Sequence, residues 1–392
     1  MTRHRPSPID NRAKQRRRAA RRQALAAVFL TACSLFSPAP DLRPKPLLPV
    51  RYQLVKPADP PGPGSERFVS AQARTPDDKQ TNPADADALA RAGLPPWHPF
   101  RSEEAKLRYL ALYDARALQW PVPSETIRAR GEFGETFVRV SGPIDGPPLV
   151  LLHGISSNSL AWMPNVAALA ESHRVYAVDH IQDGGRSVAT RALKDLGDHL
   201  AWLDGLFDEL GLVQGVNLLG LSYGGWLVAQ YALAKPQRLR KLVLVAPAGT
   251  VLPLATEWLV RAVACAIPLR WFTSSFLRWL LHDLAQRPAT QRPHFEEVVS
   301  EAFTALRCVA PHSMVPPTVI SDEELQRLAV PALYVVGRNE KICAPLLAID
   351  RLKAVAPHIT TRLIEGAGHD LTLVKAAEVH RAVLDFLAPI ER

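Results

Sequence analysis

Five short apolar runs, at residues 148–152, 174–178, 216–221, 240–246 and 332–336, constrain this fold more than anything else in the sequence. None alternates strictly between apolar and polar residues. That is the pattern of strands buried on both faces of a parallel sheet. Helical stretches lie between them, near 159–170, 192–210, 223–234 and 344–355. Strand alternating with helix predicts an α/β fold with a mostly parallel central sheet flanked by helices. Residues 361–364 read as a last strand and 372–387 as a closing helix. Upstream, 102–119 reads as an amphipathic helix stopped by Trp120-Pro121-Val122-Pro123. Segments 125–130 and 136–140 flank Gly131-Glu132-Phe133-Gly134 as in a hairpin.

The rhythm breaks between 247 and 328, where no strand pattern occurs. This stretch carries Trp258, Trp271, Phe272, Phe276, Trp279, Leu280 and Leu281. It predicts a helical cap inserted at 250–328, with aromatic residues lining an apolar site. The alternative is a second helical layer with no role in substrate access.

The formal charge of +9 suggests nucleic acid until its distribution is examined. Residues 1–32 carry nine basic side chains against Asp10 alone, so the rest of the chain is nearly neutral. Such a body has no stripe for tracking phosphates, and no nucleic-acid partner is expected. The basic run ends at Arg22, a short apolar stretch follows, and Cys33 comes next. This order predicts a secretory signal over 1–32. Leu30-Thr31-Ala32-Cys33 resembles the lipobox of bacterial lipoproteins, which implies lipidation at Cys33 and attachment to a membrane surface of the cell envelope. Residues 33–98, with Pro-Pro-Gly-Pro-Gly at 60–64, show no sustained period and predict a disordered tether to a folded body at 99–392. Cys265, Cys308 and Cys343 have no spacing that decides a disulfide. No metal-ligand pattern is present, and no metal or organic cofactor is implied.

The chemistry-bearing segment is Gly220-Leu221-Ser222-Tyr223-Gly224-Gly225. It joins the end of one predicted strand to the start of a helix. A strained turn there exposes the Ser222 hydroxyl, and small neighbours let the backbones crowd around it. A Ser hydroxyl is a poor nucleophile until a base takes its proton. His369, in the loop Gly366-Ala367-Gly368-His369 after the last strand, is the candidate base. Glu340, in Gly337-Arg338-Asn339-Glu340 after strand 332–336, is the candidate acid that orients it. His153-Gly154-Ile155 follows strand 148–152. Its position predicts an oxyanion hole made by the backbone N–H groups of Ile155 and Tyr223.

From about residue 100 to 387 the chain resembles the bacterial carboxylesterase-type α/β-hydrolases. Trp120-Pro121-Val122-Pro123, Leu152-His153-Gly154, Asp179 with Gly185-Arg186-Ser187, and the Ser222, Glu340 and His369 segments carry the resemblance. It implies the α/β-hydrolase fold and cleavage of a small acyl ester through a Ser-His-Glu triad and an acyl-enzyme. Glu340 departs from the commoner Asp, and the segment 179–187 is one residue longer than the usual form. The same fold and triad also serve lipases, thioesterases and C–C hydrolases. A catalytically silent ligand-binding protein is the rival from another class.

Overall fold

The computed structural model describes residues 94–389, apart from Pro96, 289–291 and 311–314. The predicted signal, Cys33 and most of the predicted tether lie outside the described residues. Packing begins earlier than the expected boundary at 99. Leu94 and Trp97 pack on the core, and His98 is buried.

The described body opens with helix α1 (Glu103–Ala117), whose first turn is capped by the Ser102 hydroxyl. The hairpin β1 (Ser124–Gly131) and β2 (Gly134–Ser141) follows, and then β3 (Pro148–Leu152). A short 3-10 turn (Ser159–Trp162) leads into α2 (Met163–Leu169), β4 (Arg174–Val178) and the two-residue β5 (Val188–Ala189). Then come α3 (Leu196–Glu209), β6 (Val216–Leu221), α4 (Tyr223–Ala234) and β7 (Leu239–Val245). Helices α5 (Thr256–Ala264), α6 (Arg270–Leu280), α7 (His282–Ala285), α8 (Arg292–Cys308) and α9 (Asp322–Gln326) occupy the stretch before the next strand. The chain closes with β8 (Ala332–Gly337), α10 (Pro345–Val355), β9 (Thr360–Ile364), α11 (Leu371–Val374) and α12 (Ala376–Leu387).

The strands form one sheet in the order β1-β2-β4-β3-β6-β7-β8-β9, with β5 paired to β2. β4 through β9 along that path are mutually parallel, and β1 and β2 are antiparallel. The unalternating apolar runs have the expected cause. Val150, Leu152, Leu218, Tyr334 and Val336 enter one core, while Leu149, Leu151, Leu219, Leu333 and Val335 enter another on the opposite face. Successive strand residues point to opposite faces, so both must be apolar.

Two predicted helices differ in extent. The helix expected over 192–210 starts at Leu196, because the Asp195 carboxylate accepts from Asp198 N–H at 3.0 Å and caps it there. The helix expected over 372–387 is broken at Lys375. The Val374 carbonyl, at the break, accepts from Arg287 at 2.8 Å.

The helical stretch between β7 and β8 has its own apolar cluster of Leu277, Leu281, Leu284, Phe295 and Val299. Its aromatic residues are not a uniform inner lining. Trp271 is 69 % exposed, and Phe276 stacks on Trp279 with Arg261 over the latter ring. Cys265, Cys308 and Cys343 are free thiols.

Gly220, in β6, is required by close approach. A Cβ there would lie 2.3 Å from the Gly224 carbonyl oxygen. Gly205, in α3, has nothing within 4 Å of its would-be Cβ. Gly220→Ala should therefore destabilise by about 1–3 kcal/mol or more, and Gly205→Ala should be neutral or stabilising by up to about 1 kcal/mol. Urea denaturation midpoints check the pair; equal shifts would contradict the close-approach argument.

Candidate active site

Ser222 stands between β6 and α4 with φ 54° and ψ −116°, a region that a non-glycine residue enters only under constraint. The constraint comes from both sides. Ser222 N–H donates to the Val245 carbonyl at 3.0 Å, and the Ser222 carbonyl accepts from Ala248 N–H at 3.0 Å. Gly224 lies against the end of β3, where a Cβ would sit 2.5 Å from both the Leu152 and His153 carbonyl oxygens. The turn thus holds its side chain at the carboxyl edge of the sheet.

The predicted base and acid arrive from two loops pressed together. A Cβ on Gly337, the last residue of β8, would meet the Ala367 carbonyl oxygen at 2.3 Å. Asn339 N–H donates to that same carbonyl at 2.9 Å. His369 Nε2 lies 3.0 Å from Ser222 Oγ, and His369 Nδ1 lies 3.0 Å from Glu340 Oε2. The other carboxylate oxygen, Glu340 Oε1, accepts from the Lys341 and Ile342 N–H groups at 2.8 and 3.0 Å. Every oxygen of this buried carboxylate therefore has a donor, and the side chain cannot swing away from the imidazole.

These contacts set the charges. Burial penalises a charged His369, but the Glu340 carboxylate outweighs it and holds the imidazole pKa above its ordinary value. Burial likewise favours a neutral Glu340, yet His369 and the two backbone N–H groups keep its pKa below the usual value. The pair is built to carry a negative carboxylate beside an imidazole that gains a proton readily.

The predicted oxyanion donors lie beside Ser222. A Cβ on Gly154 would be 3.2 Å from Ser222 Cβ. Neither Ile155 N–H nor Tyr223 N–H has a protein acceptor among the described residues. The His153 side chain has a part that the sequence did not reveal. His180 N–H donates to His153 Nε2 at 3.0 Å, so the proton belongs on Nδ1, which lies 2.7 Å from the Gly154 carbonyl oxygen. In a trans peptide the C=O and N–H point in opposite directions. Holding the Gly154 carbonyl therefore fixes the direction of Ile155 N–H. Burial lowers the His153 pKa and keeps the ring neutral, as this arrangement requires.

The next peptide is held as well. Ser156, at φ 56°, donates its N–H to Asp183 Oδ1 at 3.1 Å. Burial pushes the Asp183 carboxyl up to about 7. Asp179 ties the segment down by accepting from Ser159 N–H and Arg186 N–H, each at 2.8 Å. The long segment 179–187 thus supports the turn at 154–156. Asp183 carried no recognisable signal, and the part played by the His153 side chain was hidden, because both act on backbone atoms of the turn at 154–156.

Comparison with known proteins bears on the fold. A family profile described as alpha/beta hydrolase fold matches residues 147–376. The chain belongs to the α/β-hydrolase family. Within it, carboxylesterase YbfK of Bacillus subtilis (strain 168) is 31 % identical over 74 % of this chain and 96 % of its own length. The crystal structure of naproxen esterase (carboxylesterase NP) from Bacillus subtilis shares 31 % identity and covers 72 % of this chain and 98 % of its own, with a TM-score of 0.65. That of carboxylesterase CesB (YbfK) gives 30 %, 73 %, 99 % and 0.66. The overlaps with these carboxylesterases leave out about a quarter of this chain.

A base must be neutral to accept the Ser222 proton, so activity should be lost as pH falls through the His369 pKa. With that pKa raised, the acid limb of kcat/KM should lie above the ordinary imidazole value of about 6.5. Glu340→Gln removes the raising charge and should move the limb downward while lowering kcat on the order of ten-thousandfold. Glu340→Asp should lose much less. Ester hydrolysis measured across pH for the three proteins decides it; an unmoved limb in Glu340→Gln would mean that another carboxylate orients the imidazole.

Proposed function

We propose that this protein is a carboxylic ester hydrolase that works through Ser222, His369 and Glu340. The observation that carries the reading is the continuous chain from Ser222 Oγ through both nitrogens of His369 to Glu340, with both contacts at 3.0 Å. Curated relatives named as carboxylesterases support the same substrate class.

In this mechanism Ser222 Oγ attacks the ester carbonyl carbon while His369 Nε2 takes the hydroxyl proton. The carbonyl oxygen becomes an oxyanion held by the N–H groups of Ile155 and Tyr223, helped by the positive end of α4. On collapse the C–O bond to the alcohol breaks, and His369 returns the proton to the leaving oxygen. Water then attacks the acyl-enzyme with His369 again as base, releasing the acid and restoring Ser222. Glu340 keeps the imidazole oriented and stabilises its charged form throughout. The helical stretch between β7 and β8 acts as a cap over the carboxyl edge of the sheet.

Labelling by a fluorophosphonate probe separates this reading from that of a silent ligand-binding protein. The native protein should be labelled at Ser222 and hydrolyse small aryl esters. Ser222→Ala should lose labelling and about a millionfold in kcat while keeping its fold. Turnover by Ser222→Ala at the native rate would sink the assignment.

For location, we propose export and lipid attachment at Cys33, supported by the basic run, the apolar stretch and Leu30-Thr31-Ala32-Cys33. One acyl chain anchors only marginally, so stable attachment requires more than one. Mass spectrometry of protein from the producing cell should find a lipid-modified Cys33 as the first residue. An unmodified terminus at another position would overturn the anchor and leave the hydrolase reading intact.

A further inference from the structure

Ile155, whose N–H is assigned to the oxyanion hole, lies between two peptide groups, and both are held. The Gly154 carbonyl, in the peptide before it, lies 2.7 Å from His153 Nδ1. The Ser156 N–H, in the peptide after it, donates to Asp183 Oδ1 at 3.1 Å. Peptide groups are planar, so fixing both planes fixes the backbone rotations at Ile155. With only one held, the other plane can turn and carry Ile155 with it. The hold matters more on the Asp183 side. Ser156 stands at φ 56°, a region that an L-residue leaves when nothing keeps it there.

Asp183 is held from behind by bonds that do not involve Ser156. Its N–H donates to the His180 carbonyl at 3.0 Å. Tyr109 Oη of α1 donates to the Gly184 carbonyl at 2.9 Å. A Cβ on Gly185 would lie 2.6 Å from Asp179 Oδ2, so this part of the loop packs closely on Asp179. Tyr109 Oη also accepts from Asn158 Nδ2 at 2.9 Å, which ties the far end of the turn to the Asp183 segment. The loop therefore keeps its own supports when the Asp183 side chain is removed, and the turn loses one.

No neighbouring group takes over that bond. The two oxygens of Asp179 are engaged by Ser159 N–H and Arg186 N–H, each at 2.8 Å. His153 serves the peptide on the strand side, and its ring is fixed by His180 N–H at 3.0 Å. Among the described residues Ser156 N–H has no acceptor besides Asp183. Nor does Asp183 share a hydrogen bond with Ser222, His369 or Glu340 among those residues. Its hydrogen bonding reaches the chemistry through the turn.

We propose that Asp183 is a positioning residue for the oxyanion hole. By accepting from Ser156 N–H it holds the Ile155–Ser156 peptide, and so keeps Ile155 N–H in the orientation that the tetrahedral intermediate needs. Asp183 touches no substrate atom in this role. The proposal rests on the serine-hydrolase reading above and deepens it.

The test compares p-nitrophenyl acetate with its thiono analogue, in which sulfur replaces the carbonyl oxygen. Sulfur accepts hydrogen bonds weakly, so the ratio of the two rates reads the oxyanion hole itself. Losing one oxyanion donor costs about 10²–10³ in kcat; Asp183→Ala loosens a donor without removing it, and should lower kcat for the oxygen ester by roughly ten- to hundredfold with KM within about twofold. Acylation and deacylation both pass through an oxyanion, so kcat should fall whichever step limits. The thiono ester should lose less, and the preference for oxygen should shrink by about tenfold. Asp183→Asn keeps an acceptor without the charge and should stay within about threefold of the native protein on both esters. Tyr109→Phe, which removes only the hydroxyl joining Asn158 to Gly184, should shift the ratio in the same direction by a smaller factor, and it decides the matter if Asp183→Ala fails to fold. Equal losses on both esters, a raised KM with kcat intact, or an Asp183→Asn as impaired as Asp183→Ala would overturn the proposal. A native protein that is not labelled at Ser222 by a fluorophosphonate, or that does not discriminate oxygen from sulfur, fails the underlying reading. A labelled, discriminating native protein whose ratio is unmoved in Asp183→Ala fails this inference alone.

Discussion

The site depends on backbone meeting backbone without an intervening side chain. Gly220 of β6 approaches the first turn of α4, and Gly224 in that turn approaches the carbonyls that end β3. These contacts bring a strand end, a helix start and the neighbouring loop into one small volume. Ser222 can hold φ 54° because its N–H and carbonyl are engaged by β7 and the segment after it. The strain at one residue is offset by hydrogen bonds that already belong to the sheet edge. Gly337 repeats the device at β8, where the missing side chain lets the Glu340 loop touch the His369 loop. A parallel sheet places all these strand ends on one edge, which is why residues far apart in sequence converge there.

Replacing the commoner Asp by Glu poses a geometric problem, since the side chain is one methylene longer and has more ways to point. The two N–H groups of Lys341 and Ile342 answer it by holding Oε1 and leaving Oε2 for the imidazole. Complete burial strengthens these bonds and would make an unpaired carboxylate costly. His369 and Glu340 are consequently best read as a coupled pair. Each is buried in a way that alone would disfavour charge, and each is restored by its neighbour.

Much of this was legible in the sequence because it follows from local rules. The apolar runs 148–152, 174–178 and 216–221 have the same limits as β3, β4 and β6. Ser222, Glu340 and His369 each follow a strand end, and the structure brings their side chains into contact. Long-range order was not legible. Nothing local states that β4 lies between β2 and β3, because that pairing is decided by the crossover connections and by shared apolar faces. The supports at His153 and Asp183 were also hidden, since backbone partners leave no residue-type pattern. The direction of the Trp and Phe residues at 258–279, expected to line a pocket, was not legible either. Aromatic content reports apolar surface but not its direction. Trp271 is exposed, and a cavity between α1, α8 and the turn after β3 is bordered from this region by small or aliphatic residues of α8 together with Glu301.

The helical stretch between β7 and β8 is tied to the same loops that carry the chemistry. Asp283 of α7 accepts from Asn339 Nδ2 at 2.8 Å, next to Glu340. Asp370, next to His369, accepts from Leu284 N–H of α7 at 2.7 Å and from Gly368 N–H at 3.1 Å. On the other side, α8 packs on α1 through Ala305, Cys308, Tyr109 and Tyr113, and the Arg116–Glu301 pair joins the two helices. Lifting α7 would break bonds on both sides of the Glu340–His369 contact. Lifting α8 would expose apolar surface and separate a half-buried ion pair. These two anchors differ in what they control. The α7 anchor is polar and directional, and it acts on the loops that hold Glu340 and His369. The α8 anchor is mainly apolar and adapts to side-chain volume, and it acts on the packing against α1. Substitutions on α8 therefore act on the packing against α1 and leave the α7 bonds to the Glu340 and His369 loops in place.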